Sequence, residues 1–297
     1  MADATARDVG EFGLITRVVE RLGSSDAVLL GPGDDAAVVA APDGRVVVST
    51  DVLVENVHFR RDWSSAYDVG RKAAAVNLAD IAAMGARGTA LVIGLGAPVD
   101  LPVDWALHLT DGLRDEAALV GACIVGGDVV RSEVVTISVT ALGDLEGRPP
   151  VTRSGARPGD VVVLAGVLGH SAAGLALLER GESTGPMIDA HRRPTPPYAH
   201  GPLLAIAGAT SMCDVSDGLL SDVRHITRAS GVQIDLDDAD ELFLTGGEDH
   251  ALVATLPPGA AIPAGCKVIG RVLIGEGVTV GGAVRIKSGE GWDHYLR

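Results

Sequence analysis

Residues 67–85 read YDVGRKAAAVNLADIAAMG, and this segment decides the fold. Apolar side chains cover most faces of a 3.6-residue repeat, which predicts a buried helix over Tyr67 to Met84 that Gly85 closes. Asn77 and Asp80 are three residues apart and therefore share one face of that helix. A buried carboxylate needs a cation or several donors, and the sequence places no Lys or Arg within a turn or two of Asp80 on its face. We therefore interpret Asp80 as a metal ligand.

Further short acidic motifs are scattered along the chain at the ends of apolar runs. They read Gly33-Asp34-Asp35, Ser49-Thr50-Asp51, Gly126-Gly127-Asp128, Asp214-Val215-Ser216-Asp217 and Gly246-Gly247-Glu248-Asp249. Each motif alone is more often a turn or a helix cap. Carboxylates that converge from distant segments repel one another, and the usual reason for such a cluster is a group of hard divalent cations. Because Mg²⁺ usually accompanies phosphate chemistry, the set predicts a Mg²⁺-dependent phosphoryl-transfer enzyme.

The composition limits the partners that the chain can have. Its 297 residues include 24 basic and 39 acidic side chains, which give a formal net charge of −15 at pH 7. This balance argues against nucleic acid or an anionic membrane as a partner. Lysines occur only at Lys72, Lys267 and Lys287. We therefore expect phosphate to be bound by arginine, by backbone N–H groups and by metal ions, which reverse the local field.

The cysteines and the apolar runs indicate a cytoplasmic protein. Cys123, Cys213 and Cys266 have no CxxC spacing and lie in apolar surroundings, as reduced and mostly buried thiols do. Residues Met1 to Gly10 carry charges and no apolar core of a signal peptide. No apolar run approaches the length of a transmembrane helix.

Helix-like and strand-like segments alternate in both halves, so the predicted fold class is α/β (α+β) in two domains. The apolar pattern stops between Leu145 and Asp160, which places the boundary near Arg148 and predicts domains over residues 1–148 and 149–297. Short strands are expected to end before Ser49 and before Gly126, so that the acidic motifs follow them. A helix over residues 219–226 is expected to have Ser216 or Asp217 as its N-cap and to end at Gly231.

The motifs in this order resemble the thiamine-monophosphate kinase family, of the superfamily that includes aminoimidazole ribonucleotide synthetase and selenophosphate synthetase. The resemblance covers nearly the whole chain. Besides the acidic motifs it includes Gly10-Glu11-Phe12, Asn56-Val57-His58-Phe59, Val76 to Asp80, Ala82 to Ala86, Thr152 to Ala156, and Gly291-Trp292-Asp293-His294. Each motif is weak alone, whereas the ordered set is specific. The chain contains no GxxxxGK[ST], HRD or DFG motif, which excludes P-loop and protein-kinase sites.

The resemblance implies ATP-dependent phosphorylation of thiamine monophosphate to thiamine diphosphate, by direct transfer without a phosphoenzyme. It also implies a homodimer in which the N-terminal sheets of two chains pair into a barrel. Residues carried over as ligands of several Mg²⁺ ions are Asp35, Ser49, Thr50, Asp51, Asp80, Asp128, Asp214 and Asp217, of which Asp51, Asp80 and Asp128 are the catalytic set. Gly127, Asp128, Arg153 and Ser216 would contact ATP, and His58, Glu248 and Trp292 would line the thiamine phosphate side.

Two departures and two alternatives accompany this interpretation. After Asp249 the family usually has Tyr-Glu, whereas this chain has His250-Ala251, and the stretch from Ile234 to Leu244 is shorter than usual. A purine-biosynthetic cyclase of the same superfamily would release free phosphate instead of forming a new diphosphate. A non-catalytic divalent-cation-binding protein is the alternative from a different class, although calcium loops gather their carboxylates within about a dozen residues.

Overall fold

The computed structural model describes residues 4–31 and 37–284 and divides into two compact units. The first contains the described residues up to Ile81 together with Arg87–Glu146, and the second contains Ala82–Ala86 and the described residues from Gly147 onward. The chain therefore passes between units next to Arg148, where the apolar pattern of the sequence stops.

The first unit contains a four-stranded sheet and its helices. In chain order its elements are α1 Ala6–Val19, β1 Val28–Leu30, β2 Val38–Val39, β3 Val47–Val54, α2 Ala66–Ala83, β4 Arg87–Ala97, α3 Val103–Ala118, β5 Cys123–Arg131 and β6 Thr136–Asp144. The sheet order is β3-β6-β4-β5, and β1 pairs separately with β2. Strands β4 and β5 are parallel and are connected through α3, whereas the pairs that include β6 are antiparallel.

Helix α2 is buried along its length, as its sequence predicts, and crosses α3 at a pair of glycines. A Cβ atom added at Gly70 would overlap the carbonyl oxygen of Leu109, and one added at Gly112 would overlap that of Tyr67. The two backbones therefore touch, which only glycine permits. An ion pair between Arg71 of α2 and the buried Glu116 of α3 joins the same helices.

Two strands are longer than the sequence predicts, so the expectation that acidic motifs follow strand ends is wrong for both. Strand β3 continues to Val54 and β5 continues to Arg131. Asp51 pairs with Val139 of β6, and Asp128 pairs with Gly94 of β4. Pairing with a neighbouring strand satisfies the backbone groups of these polar residues, so the strands extend beyond their apolar runs.

The second unit contains a seven-stranded sheet covered on both faces. Its elements are β7 Val161–Ala165, α4 His170–Glu179, α5 Pro186–Arg192, α6 His200–Ile206, β8 Ser211–Val215, α7 Leu219–Ser230, β9 Gln233–Leu236, α8 Glu241–Thr245, β10 Ala251–Leu256, β11 Cys266–Leu273, β12 Gly277–Val280 and β13 Ala283–Val284. The order is β13-β12-β9-β11-β7-β10-β8, in which β12 and β9 are parallel and the other pairs are antiparallel.

Each face of this sheet packs against its own apolar cluster. The α7 residues Leu219, Val223 and Ile226 belong to one cluster, and Leu204 of α6 belongs to the other. Because both faces are covered, β10 is buried at every position and reads as a continuous apolar run. Among the described residues, no helix is long and apolar enough to cross a membrane.

Helix α7 ends where the sequence predicts but does not begin with the predicted cap. Gly231 is its C-cap in the left-handed conformation, with φ of 67°. The N-cap is Gly218, with φ of 112°, instead of Ser216 or Asp217. An added Cβ at Gly218 would lie 2.6 Å from the carbonyl oxygen of Thr245, so this position needs glycine both for its conformation and for its contact.

A buried aspartate of β9 joins this strand to its two neighbours, β11 and β12, in the second unit. Asp235 accepts hydrogen bonds from the Thr279 hydroxyl at 2.7 Å, the Gly282 amide at 2.8 Å and Arg271 at 3.1 Å. The Thr279 hydrogen bond is the main cause that lowers the pKa of Asp235, and the Gly282 and Arg271 bonds act in the same direction against desolvation. The charged carboxylate therefore stabilises the packing of β9 between β11 and β12.

Candidate active site

The face of β3 that packs on α2 carries a group of polar side chains that end in oxygen atoms. Ser49 and Asp51 alternate along β3 and so share this face, and both are half-buried. The Ser49 hydroxyl donates to Asp80 Oδ2 at 2.6 Å, and the Asp51 amide donates to Asn77 Oδ1 at 2.9 Å. Asn77 in turn donates to the carbonyl of Ala73, one turn earlier in α2. Asn77 and Asp80, which were predicted to share a face of α2, therefore both form hydrogen bonds with β3.

The structure places Thr50 on the opposite face of β3, away from this group. Its hydroxyl donates to the carbonyl of Val139 at 3.0 Å and accepts from the Thr140 hydroxyl at 3.1 Å. The same face of β3 carries Val48 and Val52, which are 59% and 46% exposed. Strand alternation explains the separation, because neighbouring residues of a strand point to opposite faces.

Gly127 and Asp128 lie inside β5, and the glycine has a structural reason of its own. An added Cβ at Gly127 would overlap the carbonyl oxygen of Ile93 in β4, whereas one at Gly126 would meet nothing within 4 Å. Asp128 is exposed, and its Oδ1 accepts the amide proton of Val129 at 2.9 Å. Gly127 is therefore required for the close approach of β4 and β5, whatever it binds.

His58 lies in the loop after β3 with a defined ring orientation. The Val54 amide donates to its Nδ1 at 3.0 Å, so the neutral ring carries its proton on Nε2. The buried Lys72 of α2 donates to the carbonyl oxygen of His58 at 3.2 Å. Nearby Asn56 has φ of 65°, a left-handed conformation that Asn adopts more readily than most residues. The Val54 amide and the Lys72 ammonium group together fix the position of His58 in this loop.

In the second unit, a group of carboxylates surrounds the start of α7. Asp214 is the fourth residue of β8, and the Asp217 amide donates to Asp222 Oδ2 at 3.1 Å. Burial is the main cause that raises the pKa of Asp222 to about 7, and the charge of Asp214 is the next. Like charges held together in a buried place favour a bound cation. Asp222 was not expected as a site residue from the sequence.

The turn Gly246 to His250 lies against the end of β8 and holds three acidic or basic side chains. Asp249 accepts from the amides of Gly169 at 2.7 Å and Ser171 at 2.8 Å, so it caps α4 from a distant part of the chain. Burial raises the pKa of Asp249, against these two hydrogen bonds. Glu248 Oε2 lies 3.6 Å from Nδ1 of the buried His191, which also contacts the Ser171 hydroxyl. The predicted substrate residue Glu248 thus has a basic neighbour in α5.

The two predicted ATP contacts of the second unit lie in loops that the backbone holds. The carbonyl oxygen of Arg153 accepts from the Ser230 hydroxyl at 3.0 Å, and its side chain is exposed. The carbonyl of Ser216 accepts the Glu248 amide proton at 2.7 Å. Burial lowers the pKa of His225, and the charge of Arg153 is the second cause. The Arg153 charge is therefore close to α7.

The sequence matches two related families in succession. Residues 33–145 match the AIR synthase related protein, N-terminal domain, and residues 157–281 match the C-terminal domain of the same description. Thiamine-monophosphate kinase of Mycobacterium tuberculosis H37Rv is 50% identical over 98% of this chain and 91% of its own length. The chain belongs to the thiamine-monophosphate kinase family.

Solved structures of thiamine-monophosphate kinases have the same fold. The enzyme from Stenotrophomonas maltophilia K279a is 32% identical with a TM-score of 0.77, over 91% of this chain and 95% of that one. A structure of AaThiL complexed with AMPPCP and TMP is 33% identical with a TM-score of 0.78, over 99% of this chain and all of the other. The two-domain α/β fold expected from the motifs is thereby confirmed.

The family's predicted ligand residues are divided between the two units. Asp35 and Trp292 lie outside the described residues. Ser49, Thr50, Asp51, Asp80 and Asp128 belong to the first unit, and Asp214 and Asp217 belong to the second. Across residues 4–31 and 37–284, no three His, Cys, Asp or Glu side chains come close enough to hold a metal ion by themselves.

Two further buried residues near the candidate site were not expected there from the sequence. Asp222 stands within the apolar repeat Leu219, Leu220, Val223, and this position was the signal that it would be buried. His250 contacts Asp214, with Nδ1 and Oδ2 3.0 Å apart. In the sequence, His250 is distinguished only by its place in the motif, where the family usually has tyrosine.

Proposed function

We propose that this chain transfers the γ-phosphoryl group of ATP directly to the phosphate of thiamine monophosphate, with the help of bound Mg²⁺. Membership of the family gives the overall reaction, the ATP-dependent phosphorylation of thiamine monophosphate to thiamine diphosphate. AMPPCP, bound in the similar structure, is an ATP analogue with a methylene group between its β and γ phosphorus atoms. The direct route and the metal are the parts that we infer.

The observation that carries the metal proposal is the pairing of Ser49 and Asp80 beside Asp51. Hydroxyl and carboxylate oxygens are the hard ligands that Mg²⁺ prefers. The Ser49 to Asp80 hydrogen bond of 2.6 Å brings a residue of β3 and one of α2 together, and Asp51 shares their face. We infer that these three residues would hold Mg²⁺ on the first unit. The resemblance adds Asp35, Thr50 and Asp128 as ligands of further ions, with Thr50 on the other face of β3 and Asp128 on the strand at the other edge of the sheet.

The second unit fits a cation for an electrostatic reason. After burial, the charge of Asp214 is the largest cause that raises the pKa of the Asp222 carboxyl, whereas the Asp217 amide lowers that pKa by hydrogen bonding and the Asp217 charge raises it, so the charges of three carboxylates act on one another here. A divalent cation would relieve their mutual repulsion. We infer that Asp214 and Asp217 would hold Mg²⁺ and that Asp222 supports them. When bound, Mg²⁺ supplies the charge neutralisation that phosphoryl transfer requires.

The remaining predicted residues would position the two phosphate compounds. Gly127, Asp128, Arg153 and Ser216 would contact ATP, and the exposed Arg153 is suited to pair with phosphate oxygens. His58 would contact thiamine monophosphate, and its ring is oriented by the Val54 amide, which donates to Nδ1. Glu248 and Trp292 would line the same side.

The chain needs no strong general base for this transfer. The acceptor is a phosphate oxygen that is already ionised at neutral pH, so the catalytic requirement is in-line positioning of two anions. Asp51, Asp80 and Asp128 would therefore act by binding Mg²⁺ and fixing its position, and they would not remove a proton. This reasoning supports direct transfer without a phosphorylated residue.

Phosphorus NMR with ATP, Mg²⁺ and thiamine monophosphate tests the proposal. We expect the two diphosphate resonances of thiamine diphosphate to appear together with ADP, and Asp51→Asn to lower the rate at least about 100-fold with the fold intact. Asp62→Asn is the matched control, because Asp62 is an exposed carboxylate of the same unit that pairs with Arg60. Release of free phosphate without a new diphosphate would instead support the purine-biosynthetic cyclase alternative.

A titration with divalent cations separates the remaining alternative. Tight Ca²⁺ binding without nucleotide, together with no ATP turnover, would favour a non-catalytic cation-binding protein. Turnover that requires Mg²⁺ and is lost in Asp51→Asn would exclude it. The cytoplasm is the compartment that we propose for the reaction, in line with the three cysteines, none of which forms a disulfide.

We also propose that the chain is a homodimer through the open face of the four-stranded sheet. Val48, Val52 and Val92 are 59%, 46% and 39% exposed on that face. Three exposed valines on one sheet face mark an interaction surface. Val52→Asp should convert the dimer to a monomer in sedimentation velocity, whereas Ile274→Asp, at an 88% exposed position of the second unit, should not. A dimer that survives Val52→Asp would place the interface elsewhere.

A further inference from the structure

His250 is held in an unusual backbone conformation beside the end of β8. Its φ is 54° and that of Glu248 is 63°, both in the left-handed region that side chains other than Gly and Asn seldom adopt. The His250 amide donates to the carbonyl of Val215 at 3.0 Å, and the Glu248 amide donates to that of Ser216 at 2.7 Å. These two hydrogen bonds hold the turn against β8 and fix the position of the His250 backbone from which the imidazole extends.

The imidazole reaches a carboxylate that lies equally deep in the protein. Nδ1 of His250 is 3.0 Å from Oδ2 of Asp214, and the two side chains are only 8% and 7% exposed. A carboxylate oxygen accepts, so Nδ1 carries the proton in this contact. The contact spans 36 residues of sequence and joins the predicted metal ligand to a residue with no assigned role.

We propose that His250 is a positioning residue that fixes the orientation of the Asp214 carboxylate for a divalent cation. This inference rests on the proposed function, since that function makes Asp214 a metal ligand. A hydrogen bond to one carboxylate oxygen restricts rotation of the group, and residues in this supporting position generally contribute 10- to 100-fold to metal affinity. The strained conformation is consistent with such a role, because strain persists where surrounding structure fixes it.

A pair of amide substitutions separates donation at Nδ1 from simple filling of space. The Nδ2 group of Asn occupies the place of Nδ1, and Asn tolerates positive φ, so His250→Asn retains the donor. The Nε2 group of Gln occupies the place of the other ring nitrogen, so His250→Gln retains bulk and polarity but loses the donor. His200→Gln is the matched control, because His200 Nε2 contacts only a backbone carbonyl, that of Ala264, among the hydrogen bonds described.

The measurement is Mn²⁺ affinity by calorimetry and by electron paramagnetic resonance, on the full chain with and without AMPPCP. We expect His250→Gln to weaken Mn²⁺ binding about 10- to 100-fold, and His250→Asn and His200→Gln to stay within about threefold of the original chain. Thermal unfolding of each variant identifies any that fail to fold. Should His250→Gln not fold, His250→Gly takes its place, since glycine suits a φ of 54° and removes the donor; His250→Gly should then weaken Mn²⁺ binding and His250→Asn should not.

Equal Mn²⁺ affinity in His250→Gln and the original chain would overturn the inference and leave His250 as a packing residue. Failure of the proposed function looks different. In that case Mn²⁺ binding would respond to His250→Gln as expected, while phosphorus NMR showed no thiamine diphosphate. Absence of Mn²⁺ binding by the original chain in both conditions would overturn both the inference and the proposed metal site.

Discussion

Replacement of Asn77 by alanine should loosen the strand that carries Asp51. Asn77 is completely buried and links α2 to β3, since its Oδ1 accepts the Asp51 amide proton at 2.9 Å and its Nδ2 donates to Ala73 at 3.0 Å. Each such hydrogen bond contributes about 0.5–1.5 kcal/mol, and an amide left without its acceptor costs about 1–3 kcal/mol. Because Asp51 is only half-buried, we expect the free energy of unfolding to fall by about 2–4 kcal/mol.

Thr110→Val provides the matched control for this substitution. Thr110 is buried in α3, and its hydroxyl donates to the carbonyl of Ala106 four residues earlier, as Asn77 does within α2. The control therefore removes a bond within one helix without touching β3, and should cost about 1 kcal/mol or less. The difference between the two variants measures the contact between α2 and β3.

Urea denaturation, amide hydrogen exchange and turnover together test the reasoning. In Asn77→Ala the Asp51 amide should exchange faster with solvent. We expect kcat to fall about 10- to 100-fold, because a displaced Asp51 would no longer position the proposed Mg²⁺ for transfer. Thr110→Val should leave both unchanged. If Asn77→Ala is as mild as Thr110→Val and Asp51 exchanges at its original rate, then Asn77 does not position β3.

Two further predictions concern the frame of each unit. Gly127→Ala should lower the melting temperature strongly, since its Cβ would overlap a β4 carbonyl, whereas Gly126→Ala, with nothing within 4 Å, should change it little in the same calorimetric scan. Asp235→Asn should destabilise the chain by about 1.5–3 kcal/mol at pH 7, with little of this from the 67% exposed Arg271. Folding lowers the pKa of Asp235, so its contribution to the free energy of unfolding is present above the unfolded pKa near 3.8 and is lost as the pH falls through the folded pKa. The difference in stability between the variant and the original chain should therefore shrink in acid, and a difference that widens would contradict this.

Elements with an uninterrupted periodicity could be predicted from the sequence. Helix α2 reads as apolar on most faces, and most of its residues between Ala66 and Ala83 are buried. Strand β7 reads as a short apolar run and occupies Val161–Ala165 as expected. Both signals come from residues that pack on neighbours within their own unit, so local pattern and tertiary environment agree. Helix α5, with a proline and several charged residues in seven positions, gave no such signal.

The limits of β3 and β5 could not be predicted, because pairing between strands decides them. A run such as Ser49-Thr50-Asp51 contains residues typical of turns, and only the eight-residue register with β6 shows that it belongs to a strand. For the site, spacing alone placed Asn77 and Asp80 on one face of α2. It could not show that His250 lies beside Asp214, since that contact depends on where the turn after α8 meets β8.

The glycines and the acidic residues of the glycine-rich acidic motifs have different roles, and only the proposed role of the acidic residues concerns phosphate. Gly127 and Gly247 each stand where a neighbouring backbone carbonyl leaves no room for a Cβ atom, that of Ile93 and that of Ser216. Substitution of either glycine would therefore disturb the packing of the backbone, whatever it did to a ligand contact. Asp51 differs from these glycines, since its contact with α2 is made by its backbone amide, which donates to Asn77, and a change of its side chain retains that contact. Because Gly127 and Gly247 are needed for close backbone contacts, substitutions of the proposed ligands Asp51, Asp80 and Asp214 are the ones that test the proposed phosphoryl transfer.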